Sequence, residues 1–600
     1  MANTKETKLA DKGLSLIASL WVEATIVIIL CTSLASLVSQ FIWGARVGFV
    51  VSILWAIYRC KKEAFKPELL SYKQGGWMLW TIIIGCFISL IVQPHCFLDS
   101  YSYRIPQMMF WIQEGHPWSV PNVDMRINQM PHVWPMLSAS FYSFFGEKGI
   151  ALPNFISLLL FIWLLKDTAR NTDIKDQLVN YVVTIFIAAP VVVMGASTND
   201  NVITCTTFLF LSYFFACRTD TTPKNIALSA ISFALACGIK PQYLTLAPLW
   251  VAWFFLYEAK PYKQLKFSHY LYLIPLAIIC SPIPTLAVNQ IFYDNYNLPI
   301  VTDASTYIFP DSTANNGRSF GKSMAILLQQ LLDIPVNPLF NKLNSMFTKL
   351  GVESFSFRPL MLAEGASLGL FAFIPLLWGL FKKKNIKYCK CILPLYAIIA
   401  LLLTTYMTNA ETLGRSFIGF FWLMLPFVFL GLARCSKKLI MGFAIFSFLA
   451  GLACIILDPS APLWPAKTVA SKFNHPTLKS QLEDYAHYSK RQYALTETIS
   501  NLPNDVDTVG IIIQSGNPLA ELWLNKRDLK KIIPVGLNFS REYIEQKNIE
   551  YLIIKLPILR NEEEAQEFIN KIGAKVYAIN TYTTYMQKGQ EPWFLCKVKE

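Results

Sequence analysis

Asp99 opens the run Asp99-Ser-Tyr-Ser-Tyr-Arg-Ile-Pro106, which continues as Gln-Met-Met-Phe-Trp-Ile-Gln-Glu-Gly115. A lone carboxylate set among tyrosines just after an apolar segment can take a proton from a hydroxyl, and its position suits a substrate borne by a lipid. The same Asp could instead cap the helix that follows, a frequent task for Asp ahead of an apolar periodic run. Asp200, in Ser197-Thr-Asn-Asp200, stands at the entry of another apolar segment. It could cap that segment, or serve as a second acid that binds an acceptor or a divalent ion. The side on which Asp99 lies decides what it can reach, so the segments that carry these residues come next.

The chain has 600 residues, 54% of them hydrophobic and 15% charged, against roughly 25% charged in soluble domains. Apolar runs of about 17 to 25 residues recur, long enough to cross a hydrocarbon core about 30 Å thick. About thirteen spans are expected, near 14–38, 43–58, 76–94, 148–165, 178–195, 200–217, 225–239, 242–257, 269–291, 366–381, 391–408, 416–433 and 439–457. The first is too long for a signal-peptide core and is read as a retained anchor. Glu23 lies inside it near one end, with no partner evident, and is read as structural. The net charge of +14 is dispersed between apolar runs, which argues for a membrane-surface bias rather than a nucleic-acid partner.

Alternate connections carry the cations. One set holds Arg59, Lys61, Lys62, Lys66 and Lys73, then Lys166, Arg170 and Lys175, then Lys382, Lys383, Lys384, Lys387 and Lys390. The short loops of the other set hold little beyond Arg46, Lys240 and Arg415. The positive-inside bias then sets the N-terminus in the cytoplasm. Asp99, the first outer loop at 95–147, the large outer loop at 292–365 and the tail fall on the far side. The chain divides into a membrane domain, 1–458, and an extracytoplasmic domain, 459–600.

In that tail, strand-like runs at Val509–Gln514, Lys531–Val535, Glu550–Lys555 and Lys575–Ile579 alternate with helical stretches at Pro518–Asn525, Ser540–Gln546 and Asn561–Ile572. Such alternation predicts a small α/β layer. It carries no nucleotide-binding fingerprint and reads as a structural cap or recognition module. The fold class is therefore an α-helical polytopic membrane protein with a C-terminal soluble α/β domain. The cysteines sit mostly in spans or on the inner side, so no disulfide framework is implied.

Within the first outer loop, apolar residues recur at helical spacing in Tyr103–Glu114 and Pro131–Phe145. Both read as amphipathic helices, at the membrane interface or, as the alternative, packed on the bundle as loop helices. The loop as a whole, Asp99-Ser-Tyr-Ser-Tyr-Arg-Ile-Pro…Trp111-Ile-Gln-Glu-Gly115…Pro121…Arg126…Pro131, resembles that of polytopic glycosyltransferases with the GT-C fold. The nearest branch is the bacterial one related to protein mannosyltransferases and aminoarabinose (lipid A) transferases. Ser197-Thr-Asn-Asp200 and Gly238-Ile-Lys240-Pro-Gln also resemble that branch, in order and spacing. Two departures are clear: Arg104 stands where relatives commonly carry His, and Pro135 where many have Glu.

The resemblance implies a sugar donor on a polyprenyl phosphate, with a bacterial inner membrane as the setting. It implies Asp99 as catalytic base and inversion at the anomeric carbon. The acceptor would be a lipid, a glycan or a protein. A phosphate leaving group needs positive charge more than it needs an acid, and Lys240, Arg126 and Arg415 are the candidates to hold it. Tyr103, Arg104 and His132 are pocket candidates. No cofactor is implied with certainty, and a divalent cation at Asp200 stays open. Two alternatives remain. A ligase or polymerase of lipid-linked glycans would rely on outer-loop Arg or His without needing Asp99. A transporter or flippase would carry repeat symmetry and polar groups near the bilayer midplane.

Overall fold

The structure, a computed structural model, describes residues 2–63, 71–92, 99–118, 127, 130–198, 200–217, 221–257, 259–293, 331, 368–381, 399–401, 413–457, 494–513, 519–524, 529, 531–535, 541–555, 562–583 and 590–598. Arg126, nearly all of the 292–365 loop, most of the 391–408 span and the lysines of 382–390 lie outside the described residues.

The membrane part is a helical bundle. Its helices are α1 (Ala2–Ser36), α2 (Phe41–Lys62), α3 (Gly76–Val92), α4 (Ile105–Glu114), α5 (Val133–Phe145), α6 (Leu152–Arg170), α7 (Asp176–Ile187), α8 (Pro190–Ser197), α9 (Val202–Cys217) and α10 (Pro223–Ile239). They continue as α11 (Ala247–Leu256), α12 (Phe267–Cys280), α13 (Ile283–Tyr293), α14 (Leu370–Phe381), α15 (Leu413–Leu432) and α16 (Lys437–Leu457). Among the described residues four helices are long and apolar enough to cross a membrane, or up to six if each bent pair is one span.

Those bends explain part of the difference from about thirteen straight spans. The expected span at 178–195 turns by 77° between α7 and α8, and the one at 269–291 by 63° between α12 and α13. Each break falls just before a proline. Ala189, ahead of Pro190, and Ser281, ahead of Pro282, are both extended, a conformation that the proline ring favours in the residue before it.

Glu23 does have partners. Its carboxylate accepts from Arg59 Nη1 at 2.8 Å and from Trp55 Nε1 at 2.7 Å, which ties α1 to α2 across their far ends. Glu23 is half-buried, and its partners sit on the neighbouring helix, out of reach of a linear reading.

The C-terminal part is a five-stranded sheet of order β2-β1-β3-β5-β4. Its strands are β1 (Thr508–Ile513), β2 (Lys531–Pro534), β3 (Tyr551–Lys555), β4 (Ala574–Thr583) and β5 (Gln590–Val598). β1 pairs in parallel with β2 and β3, while β5 runs antiparallel between β3 and β4. Alternation in the strands divides the core. Ile512, Leu552, Ile554 and Phe594 pack with Ile544 of α18 (Arg541–Gln546) and Ile569 of α19 (Glu562–Lys571). On the other face Val509, Ile511 and Ile553 join Leu495 and Ile499 of α17 (Ala494–Ser500), and this core runs on into the bundle.

That continuity passes through α4. Residues Ile105 to Trp111 are all buried, so the helix is enclosed rather than laid on a membrane surface. Trp111 meets Phe41 of α2 edge-on, and Phe110 meets Trp523 of the C-terminal part in the same manner. Gln113 closes the contact. Its Nε2 donates to the Ile532 carbonyl and its Oε1 accepts the Ile532 N–H, both at 2.9 Å, as a further strand would at the β2 edge. The expected interfacial α5 is likewise buried along Val133–Phe141, with only Phe144 and Phe145 open beyond it. Aromatic rings around the whole turn served protein contacts on several sides, where the spacing suggested one wet face.

Candidate active site

The stretch after Asp99 is a π-helix, Ser100–Arg104, followed directly by α4. Pro106 accounts for the wide turn: it has no N–H to give to the Ser102 carbonyl four residues back, and its ring crowds that carbonyl. The Ile105 N–H reaches back to Ser100 instead. Such single π turns gather at functional sites. At the other end Gly115 ends α4 with φ of 79°, and a Cβ there would collide with the Ser39 carbonyl oxygen. The Phe41 N–H donates to the Gly115 carbonyl at 2.9 Å. The loop is thus pinned to the turn between α1 and α2.

Asp99 stands at the N-cap position, but its side chain makes no capping hydrogen bond. The carboxylate turns to guanidiniums: Oδ2 lies 2.5 Å from Arg415 Nη2 and 3.6 Å from Arg104 Nη2. Asp200 takes the other side of both cations. Its Oδ1 lies 2.9 Å from Arg104 Nη1, and its Oδ2 lies 3.4 Å from Arg415 Nη1. Two acids and two arginines close a ring. All four side chains are largely buried, with Asp99 the most open at 17% exposed and Asp200 the least at 3%. Arg104 also lies over the Tyr103 ring, 5.4 Å from its centroid.

Four helix ends supply this ring and its neighbour Lys240. Asp99 and Arg104 come from the π-helix, Asp200 from the break between α8 and α9, and Arg415 from the first turn of α15. Lys240 follows α10 and is buried. Tyr243, in the 3₁₀ turn Pro241–Leu246, ties that end to α15 by accepting the Gly419 N–H at 3.1 Å. The approach needs a glycine, because a Cβ on Gly419 would stand 2.6 Å from the phenol oxygen.

Electrostatics follow from this crowding. Burial alone would raise the Asp200 carboxyl, but Arg104, Arg415 and Lys240 outweigh it and hold the group below its ordinary value. Burial and the two arginines push Lys240 down to about 8, with Asp200 pulling the other way. Asp99 and Asp200 thus face two guanidiniums, with the Lys240 ammonium coupled to Asp200 beside them. Beside Asp99, the Ser100 and Ser102 hydroxyls are buried with no hydrogen-bond partner among the described residues. Desolvated donors of this kind are costly until a ligand or a water meets them. No group of three His, Cys, Asp or Glu side chains that could hold a metal occurs among the described residues.

The structure brings together Asp99, Tyr103, Arg104, Asp200, Lys240 and Arg415 of the residues singled out from sequence. Arg126 lies outside the described residues. His132 is spent elsewhere: its Nε2 donates to the Ile279 carbonyl at 2.8 Å, and its Nδ1 faces the Thr285 hydroxyl at 3.1 Å. Burial pushes this imidazole down to about 4, against the pull of the Ile279 bond, so it stays neutral and joins α5 to the bend between α12 and α13. Sequence reasoning missed Tyr243, and it missed Asn154 in the first turn of α6. The only signal for Asn154 is an amide in an otherwise apolar run.

No family model matches the sequence, and no curated protein matches it. Among solved structures the chain is similar to ArnT from Cupriavidus metallidurans bound to undecaprenyl phosphate. The TM-score is 0.45 at 11% identity, over 88% of this chain and 98% of that one. It is also similar to the apo state of the same protein, with a TM-score of 0.47 at 11% identity, over 87% and 97% of the two chains.

Proposed function

We propose that the chain is an integral membrane glycosyltransferase that moves a sugar from a polyprenyl-phosphate donor to an acceptor hydroxyl on the extracytoplasmic face. The observation that carries this reading is the buried ring of two acids and two arginines with Lys240 beside it, gathered from four helix ends. The resemblance of the Asp99, Asp200 and Lys240 stretches to GT-C enzymes supports it. The charge pattern along the chain supports a cytoplasmic N-terminus, with the site and the 459–600 domain on the far side.

The chemistry follows from the charges. The donor phosphate competes with Asp99 for Arg415, with Lys240 and Arg104 as further cations for its oxygens. Losing its tight partner frees the Asp99 carboxylate to accept the proton of the acceptor. The acceptor oxygen bonds to the anomeric carbon as the bond from that carbon to the phosphate oxygen breaks. The electron pair leaves on the phosphate, where the cations stabilise it. Attack from the face opposite the leaving phosphate inverts the centre. Unlike glycoside hydrolysis, this needs one carboxyl group rather than two, because the leaving group is already a stable anion. The Ser100 and Ser102 hydroxyls are suited to sugar hydroxyls beside the base.

Mass spectrometry of glycolipids and glycoproteins from cells with and without the protein tests the reading. The account expects one sugar-bearing product to vanish and a polyprenyl-phosphate sugar to accumulate in its absence. Identical profiles under conditions where the protein is abundant would contradict it.

A further inference from the structure

We infer that Asn154 is a positioning residue for this site: it fixes the turn that carries Asp200 and, through Asp200, the two guanidiniums. The inference rests on the functional reading above.

Asn154 is fully buried, and every hydrogen bond of its amide is spent on that turn and the helix it opens. Nδ2 donates to the Thr198 carbonyl at 3.0 Å and also to the Asp200 carbonyl. Oδ1 accepts the Thr204 N–H at 3.1 Å and the Thr204 hydroxyl at 2.9 Å. One side chain on α6 therefore clamps both the approach to Asp200 and the first turn of α9. The Asp200 N–H also reaches the Thr198 hydroxyl at 3.4 Å. A buried amide in an apolar helix is costly unless its donors and acceptors are met. Here they are met only if Thr198, Asp200 and Thr204 keep their present places.

The consequence reaches the chemistry because Asp200 faces both arginines. It is the least exposed member of the ring, and it touches the sides of Arg104 and Arg415 that Asp99 does not take. If the donor phosphate draws Arg415 away from Asp99, Asp200 remains as the fixed counter-charge that keeps both guanidiniums aimed. Asn154 sets where that charge stands. Ser157 and Thr207 extend the same α6–α9 seam, with Ser157 Oγ 3.2 Å from Thr204 Oγ1 and Thr207 Oγ1 3.3 Å from the Ser157 carbonyl. Neither touches the turn itself.

A double-mutant cycle on the full-length purified protein separates positioning from mere stabilisation. Transfer from a polyprenyl-phosphate sugar is measured for wild type, Asn154→Ala, Asp200→Asn and the pair, with thermal unfolding of each. Positioning predicts that Asn154→Ala lowers kcat/KM by about tenfold or more alone, but by less than about threefold in the Asp200→Asn background. Unfolding temperatures should drop alike in both backgrounds. If Asn154→Ala does not accumulate, Asn154→Gln, which displaces the amide by one methylene, replaces it in the same cycle. Equal losses of kcat/KM in both backgrounds would overturn the inference while leaving the functional reading intact. A wild-type protein that transfers no sugar to any product would overturn that reading and the inference with it.

Discussion

Lys240 is the residue whose charge is most sensitive to its surroundings in this site. Held down to about 8 by burial and two arginines, it is a cation below that pH and neutral above it. If it holds the donor phosphate, kcat/KM falls as pH rises through about 8, because the free enzyme loses the charge that the phosphate needs. Lys240→Arg keeps a cation at all working pH values, so its falling limb should move upward, while Lys240→Ala should lose the limb along with most of the rate. A pH–rate profile of the three proteins reads this directly, and a wild-type profile flat from pH 7 to about 9.5 would contradict the assignment. At this scale much was legible. Asp99, Asp200, Lys240 and Arg415 each stand at the end of an apolar run, where a charge is conspicuous. What could not be read was pairing: Asp200 answers Arg104 and Arg415, and Glu23 answers Arg59, across long intervals of sequence. Asn154 was invisible for a related reason. A buried amide reveals its task only when the carbonyls that it meets are known.

Among the elements, α4 bears the most consequence. It follows the π-helix that holds Arg104 and ends against the β2 edge through Gln113, so it joins the C-terminal sheet to the loop with the proposed base. Gln113→Ala removes the two hydrogen bonds to β2, worth about 1 kcal/mol each. We expect faster release of the C-terminal part by limited proteolysis, and a severalfold loss of transfer, with little change in the unfolding of the bundle. Unchanged proteolysis would show that the edge contact is idle. In this part β1, β2, β3, α18 and α19 were legible to within a residue, since alternation and capping signals are local, while β4 runs twice the expected length and α17 was not foreseen. β5 was missed because Gln590–Val598 contains Pro592 and little alternation, and it earns its place only by lying between β3 and β4. α4 and α5 were misread for the opposite reason. Their apolar spacing was correct, but what it faced was protein rather than a membrane surface.

Across the whole molecule, four helix ends meet beside the C-terminal sheet, and the opposite end of the bundle carries the Glu23–Arg59 pair. The composition made the membrane class plain. It did not reveal that two expected spans break before prolines, because hydropathy averages over the break. The central claim is that Asp99 serves as the base of a phosphate-displacing transfer, released when the donor takes its arginine. Purified Asp99→Asn tests it most directly, measured both for binding of a polyprenyl-phosphate lipid and for single-turnover transfer. The amide keeps the volume and frees Arg415, so binding should persist or tighten while transfer falls by about 10²–10⁴-fold or more. Turnover within a few-fold of wild type, with binding intact, would contradict the account.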